Sequence, residues 1–199
     1  MSLRKKVARI LNHFANGVQV LLFTEQEFCR VGVRQKKLRY SNRMIQHGIS
    51  NMITSSISVK IKAAGISSGL VSLGGDIVAF GSTPGNAPWP VGIVHPTQRD
   101  AVIATIYLQD RALATSGGYE RYFEMQGKRY SHLINPHTGW PVDSLLSVSV
   151  SADQAIVAGS ISSIGLLFER HEALEWLERS GCDYLAVDQD LSCYGTLAD

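Results

Sequence analysis

Apolar residues recur along this chain in two rhythms, and the changes of rhythm mark out its elements. Val7, Ile10, Leu11 and Phe14 share one face at helical spacing, which predicts a helix over 7–14. The run from Val18 to Phe23 predicts a strand. Glu27 to Val33 and Lys37 to Tyr40 predict a strand pair that turns at Arg34-Gln35-Lys36. Ile57, Ile61 and Ala64 stand at i, i+4 and i+7, so 56–64 is expected to be helical, with Gly65 as its C-cap. Strand-like runs at 70–73 and 76–80 flank Gly74-Gly75. The segments 91–94, 101–108 and 119–125 continue a strand-rich middle, and 130–134 adds a short strand. Ser147 to Ser151 alternates polar with apolar. Gln154 to Phe168 is mostly apolar and predicts a buried helix. His171 to Ser180 predicts an amphipathic helix through Leu174 and Leu177, ending at Gly181. Two strands, 184–187 and 191–194, close the chain around Asp188-Gln189-Asp190. No repeat or linker interrupts the series, so residues 1–199 are expected to form a single α+β domain, a mixed β-sheet with packed helices.

Composition narrows the function classes. A chain of 199 residues with 45% hydrophobic and 18% charged residues can bury a sizeable core and is not a disordered sequence. Net charge is +2, and the basic stretches Arg4-Lys5-Lys6 and Lys36-Lys37-Leu38-Arg39 are short, so no nucleic-acid partner is expected. Cys29, Cys182 and Cys193 lack metal-ligand spacing, and their odd number argues against a disulfide framework. No apolar run approaches membrane-spanning length. No signal peptide is expected either, because the apolar run after Arg4 to Lys6 is too short and too far downstream.

Candidate chemistry gathers in three loops. In YSHLINPHTGWPV, from Tyr130 to Val142, a short strand delivers Ser131 and His132 to a turn at Asn135-Pro136-His137-Thr138-Gly139. Pro136 restricts Asn135, while Asn and Gly tolerate positive φ. The turn is expected to leave backbone N–H groups and the Thr138 hydroxyl open to an anion such as phosphate. Gly74-Gly75-Asp76 interrupts a strand pattern, as a bulge or a close approach of backbone to a ligand would. Ala114-Thr115-Ser116-Gly117-Gly118-Tyr119 is expected to form a small-residue loop after a strand-like 106–113, with hydroxyls to offer phosphate. Each segment alone reads as an ordinary turn. Together with Trp89 to Ile93 and His95-Pro96, they point to a nucleotide-type ligand.

The ordered series SLGGDIVAFG, WPVGIVHP, ATSGGYERYF, GKRYSHLINPHTGWPV and SVSVSADQAIVAGSISS resembles the ApbE family of FAD:protein FMN transferases. It runs from about Leu70 to Ser163. The resemblance implies a flavin-transferase fold lacking the usual N-terminal segment, with FAD as the donor substrate and Mg²⁺ as the metal. It implies a flavin nucleotide and an acceptor flavoprotein of an electron-transfer system as partners, and a family that generally works outside the cytoplasm. In that chemistry an acceptor Thr or Ser hydroxyl attacks the phosphorus of the FMN half, and AMP leaves. By the same resemblance His132 corresponds to the active-site histidine. Gly74, Gly75 and Asp76, with Ser116, Gly117, Thr138 and Gly139, correspond to flavin-binding loops. Ser163, through its hydroxyl, and Ser50, through its backbone carbonyl, correspond to metal ligands.

The departures from the family pattern bear on the metal. Where the late helix typically reads Ala-Asp-x-x-Ser-Thr, this chain has Ala158-Gly159-Ser160-Ile161-Ser162-Ser163, so a ligand carboxylate is replaced by Gly159. Where Gly-Ile-Ala-Lys-Gly-Tyr with a later Asp is typical, it has Gly48-Ile49-Ser50-Asn51-Met52-Ile53 with Ser56. Two functions therefore stand side by side: an active flavin transferase, or a catalytically inactive flavin-binding or partner-binding remnant. The chain contains no Asp-x-x-Ser/Thr-Gly-Ala-Thr acceptor motif, so modification of itself is not expected.

Overall fold

The computed structural model describes residues 18–23, 28–32, 46–98, 100–119 and 122–198. In chain order the elements begin with β1 (Val18–Phe23), β2 (Phe28–Gly32), α1 (Gln46–Ala63), β3 (Ser68–Leu73), β4 (Asp76–Phe80), β5 (Trp89–Val94) and β6 (Val102–Leu108). They continue with β7 (Ala112–Gly117), β8 (Tyr122–Met125), β9 (Lys128–Ser131), β10 (Leu145–Ala152), α2 (Ala155–Gly165), α3 (Arg170–Ser180), β11 (Asp183–Asp188) and β12 (Cys193–Tyr194). The class is α+β. The expected helix over 7–14 and the strand over 37–40 lie outside the described residues.

The described residues gather into two compact units. The first draws on Met1–Pro90, Tyr107–Leu113 and Asp153–Ile156, the second on Val91–Ile106, Ala114–Ala152 and Val157–Asp199. In the first unit the strand order is β2-β1-β3-β4-β7, with β1 antiparallel to both β2 and β3. α1 lies against β3 and β4. It buries Ile57 and Ile61 completely, and Val71, Ala79 and Phe80 are buried with them. This helix begins ten residues before the predicted start at Ser56. Its extra turns include the buried polar residues Asn51 and Thr54.

Gly74-Gly75 is neither a bulge nor a break. The β3–β4 register runs unbroken from Gly69↔Phe80 to Leu73↔Asp76. The two glycines, at φ 62° and 98°, form the two-residue turn between these strands. A two-residue hairpin loop with positive φ at both positions suits glycine, which adopts that conformation without a steric penalty.

In the second unit β7 continues through Ala114–Gly117, and the order is β7-β10-β11-β12. β10 and β11 pair antiparallel. The polar–apolar alternation of β10 does not divide it into a buried and an exposed face. Ser147, Ser149 and Ser151 are as buried as Val148 and Val150, because both faces of the strand are covered. α2 and α3 build the core with the strands: Ala158, Leu166, Ala173 and Leu177 pack with Val148, Val150, Tyr184 and Ala186. α3 ends at Gly181, whose φ of 68° and N–H to the Glu178 carbonyl form the expected C-cap. β8 and β9 make a separate hairpin on which Phe123 and Tyr130 stack at 5.0 Å.

One buried carboxylate organises the end of this unit. Asp188 Oδ1 accepts the N–H groups of Asp190 and Ser192 at 2.9 and 3.0 Å. Its Oδ2 accepts the Tyr194 hydroxyl at 2.8 Å and Arg170 Nη1 at 3.1 Å. Burial pushes the Asp188 carboxyl up, but the Tyr194 hydroxyl, the two backbone N–H groups and the Arg170 guanidinium outweigh it and hold the group below the ordinary carboxylate range. The predicted turn at Asp188-Gln189-Asp190 is thus held by the side chain of its own first residue.

Candidate functional site

Thr115, Ser116 and Gly117 are strand residues of β7, not a loop, which corrects the expectation of a strand from 106 to 113 followed by a loop. The apolar run breaks instead at Gln109-Asp110, where Asp110 takes φ 51°, and the chain re-enters the sheet at Ala112. Thr115 Oγ1 and Ser149 Oγ lie 2.8 Å apart. Ser116 Oγ lies 2.9 Å from both Ser162 Oγ and Ser163 Oγ on α2. These hydroxyls therefore meet one another. At the end of the strand, a Cβ on Gly117 would stand 2.4 Å from the Tyr119 ring, and one on Gly118 would stand 2.8 Å from Ser131 Oγ. The two glycines let the Tyr119 ring and Ser131 close onto the backbone.

That closure shapes a cavity of about 760 Å³ within the second unit. Tyr119 and Tyr122 supply aromatic surface there, and Thr97, Ser131, Asp143 and Gln189 supply polar groups. Thr97 is held at His95, whose Nδ1 accepts the Thr97 N–H at 3.2 Å. Gln189 is held by donating Nε2 to the Asp143 carbonyl at 2.7 Å. A flat aromatic ligand with polar edges suits such a lining, and the volume falls within the range of small-molecule sites. A second cavity of about 300 Å³ in the same unit is lined by Tyr130, Ser131, Asn135, Thr138, Trp140 and Phe168, among others.

The turn at 135–139 differs from its expected chemistry. Asn135 Oδ1 accepts the N–H groups of His137 and Thr138 at 2.8 and 3.3 Å, and the Asn135 carbonyl accepts that of Gly139 at 2.9 Å. Thr138 Oγ1 accepts the Trp140 N–H at 3.2 Å. The N–H groups that sequence reasoning offered to an anion are engaged inside the turn, because Asn135 closes it with both its side chain and its carbonyl. His132, just past the end of β9, is exposed, and so are Thr138 and Gly139.

In the first unit Asp76 is buried, 4% exposed, beside Asn51, 5% exposed. With the amide turned to the carboxylate, Asn51 Nδ2 donates to Asp76 Oδ2 at 2.8 Å and Oδ1 at 3.2 Å. Ser50 precedes it on α1. Of the residues singled out in the sequence, Ser50, Gly74, Gly75 and Asp76 thus belong to the first unit. Ser116, Gly117, His132, Thr138, Gly139 and Ser163 belong to the second.

The sequence profile of the ApbE family matches residues 49–186, well over half of the chain. The chain belongs to the ApbE family. Among curated relatives it is 38% identical over 134 residues to the FAD:protein FMN transferase of Escherichia coli K12, a match covering 66% of this chain and 38% of the relative. It is 38% identical over 119 residues to that of Salmonella typhimurium, covering 59% of this chain and 34% of the relative. The match thus spans little more than a third of the length of these relatives. In three dimensions it is similar to the crystal structure of the ApbE protein from Thermotoga maritima, with a TM-score of 0.67 and 26% identity over 98% of this chain and 62% of the other. The fold also resembles apo flavinyl transferase ApbE of Pseudomonas stutzeri, with a TM-score of 0.66.

The residues present do not fit the Mg²⁺ that the family implies. Mg²⁺ demands hard oxygen ligands, usually including one or two carboxylates. Gly159 is buried on α2 and brings no carboxylate, while the Ser163 hydroxyl is engaged with Ser116. Among the described residues no group of three or more His, Cys, Asp or Glu side chains converges on a point that could hold a metal.

Sequence reasoning missed Tyr122, Asp143 and Gln189 as lining residues. Gln189 had a signal only as a turn residue, and nothing in the linear pattern connects it with Ser131.

Proposed function

We propose that this chain binds a flavin nucleotide and serves in FAD:protein FMN transfer to an acceptor flavoprotein of an electron-transfer system. The observation that carries the reading is the 760 Å³ cavity. The family's motif segments around His95-Pro96, Thr115 to Tyr119 and Tyr130 to Val142 contribute Pro96, Thr97, Gly118, Tyr119, Ser131 and Val142 to its wall. Tyr119 and Tyr122 offer faces to a flat ring system, and Ser131, Thr97 and Gln189 offer hydrogen bonds at its edges.

In the transfer the acceptor hydroxyl oxygen forms a bond to the phosphorus on the FMN side. The bond from that phosphorus to the bridging oxygen breaks, and AMP leaves with the oxygen. The acceptor proton must pass to a base, and the exposed imidazole of His132 takes that role in this reading. Among the described residues no helix is long and apolar enough to cross a membrane.

Titrating FAD or FMN fluorescence with the protein tests the binding half, with saturable quenching as the expected result. Incubation with FAD and a peptide carrying the Asp-x-x-Ser/Thr-Gly-Ala-Thr motif tests the chemistry, read as an FMN mass increment on the peptide. His132→Ala should keep flavin affinity and lower transfer by about 10²-fold or more. Quenching with no transfer by the parent protein would leave a binding protein, and no quenching would remove the flavin reading altogether.

A further inference from the structure

We infer that this chain holds its flavin nucleotide without a resident divalent cation: Gly159 stands where the family carries a carboxylate, and the three serine hydroxyls beside it are engaged with one another in a relay. The inference rests on the flavin-binding reading above and adds how the site beside α2 is built.

The direction of the relay follows from counting protons. Ser162 Oγ donates to the Gly159 carbonyl at 3.1 Å. A hydroxyl has one proton, so in the 2.9 Å contact between Ser116 and Ser162 the donor is Ser116. The Ser116 proton is then committed, and the 2.9 Å contact with Ser163 is donated by Ser163. The protons thus point in sequence from Ser163 to Ser116, from Ser116 to Ser162, and from Ser162 to the backbone at Gly159. None of the three hydroxyls keeps a proton to offer a phosphate, which corrects the expected role of Ser116 as a phosphate donor. What the relay presents is oxygen lone pairs, all of them neutral.

A divalent cation needs more. Neutral hydroxyl oxygens do little to compensate the dehydration of Mg²⁺, which is why its protein sites use carboxylates. The carbonyl of Gly159, the position at which the family's carboxylate would project, already accepts from Ser162. Ser162 is completely buried, so the relay belongs to the packing of α2 against β7 as much as to any ligand. The other substitution of a charged family residue follows the same logic in its own unit, where neutral Asn51 supplies hydrogen bonds to Asp76.

The test uses the whole chain and MgCl₂. Titrated into the protein by calorimetry, Mg²⁺ should give no saturable heat, and melting temperatures in MgCl₂ and in KCl of equal ionic strength should coincide. FAD affinity measured with Mg²⁺ and with EDTA should agree within about twofold. Gly159→Asp should create a response, a melting temperature lowered in EDTA and restored by Mg²⁺, because it adds an anionic oxygen ligand beside Ser163. Gly159→Asn, a neutral isostere, should not respond. Saturable Mg²⁺ binding by the parent, or FAD affinity tightened about tenfold by Mg²⁺, would overturn the inference. A Gly159→Asp variant as indifferent to Mg²⁺ as the parent would overturn the assignment of Gly159 as the position of the missing carboxylate. If either variant fails to fold, the titrations of the parent still decide. Absence of FAD binding under both conditions would remove the flavin reading, and the Mg²⁺ titration would still report on the relay.

Discussion

A methyl group on Gly118 would stand 2.8 Å from Ser131 Oγ and 3.1 Å from its Cβ, and Ser131 cannot move freely because its Oγ accepts the Leu133 N–H at 3.1 Å. Ser131 also lines both cavities of the second unit. Gly118→Ala should therefore displace Ser131 into the larger cavity, cost about 1–3 kcal/mol of stability through overpacking, and weaken flavin binding by about tenfold. Urea unfolding and fluorescence titration of the variant measure the two effects. Unchanged flavin affinity would place the ligand elsewhere. This residue was noticed in the sequence only as one of a pair of small residues before a tyrosine. Its close partner lies thirteen positions away along the chain, on a strand whose placement no local pattern reports.

At the scale of elements, Asp188 ties the start of α3, through Arg170, to β11 and β12, through Tyr194, and closes the turn that carries Gln189 to the cavity. Its carboxyl is held below its ordinary range in the folded state, so it binds fewer protons there than in the unfolded chain. The stability that this confers is complete above the unfolded carboxylate value of about 3.9 and is lost as the pH falls through the lower folded value. Asp188→Asn should lower the melting temperature at pH 7 and flatten the acid limb of the profile. Its Oδ1 can still accept the N–H groups of Asp190 and Ser192, but it offers no charge to Arg170 and a weaker acceptor to Tyr194. Melting curves of parent and variant between pH 7 and pH 3 provide the measurement. Parallel profiles would mean that the carboxylate contributes no pH-dependent stability.

For the whole molecule, a ligand that binds only the folded state stabilises it by mass action. FAD or FMN at about a hundred times its Kd should add about 2.7 kcal/mol, which for a chain of this length raises Tm by on the order of 5–10 °C. The rise should be the same with Mg²⁺ as with EDTA. Differential scanning fluorimetry over a range of flavin concentrations measures it. A flat Tm at concentrations that quench flavin fluorescence would show that the quenching is not binding to the native state.

What this chain's sequence determined by itself is what short-range physics controls. The strand Val18–Phe23, the α3 helix with its glycine cap, and the two strand runs on either side of Gly74-Gly75 were legible, though not the turn that pairs them, because propensity and capping act within a few residues. The ordered motifs likewise carried the family and its α+β class. Only the tertiary structure decided the polarity of the site. The alternating serines of β10 are buried because both faces are covered. The N–H groups of the 135–139 turn are taken because Asn135 folds back on them. Ser116 is engaged with α2 because residues 46 and 47 positions away bring two more hydroxyls within 2.9 Å. Hydrogen-bond direction depends on the partners in space, and the linear order of residues does not contain them.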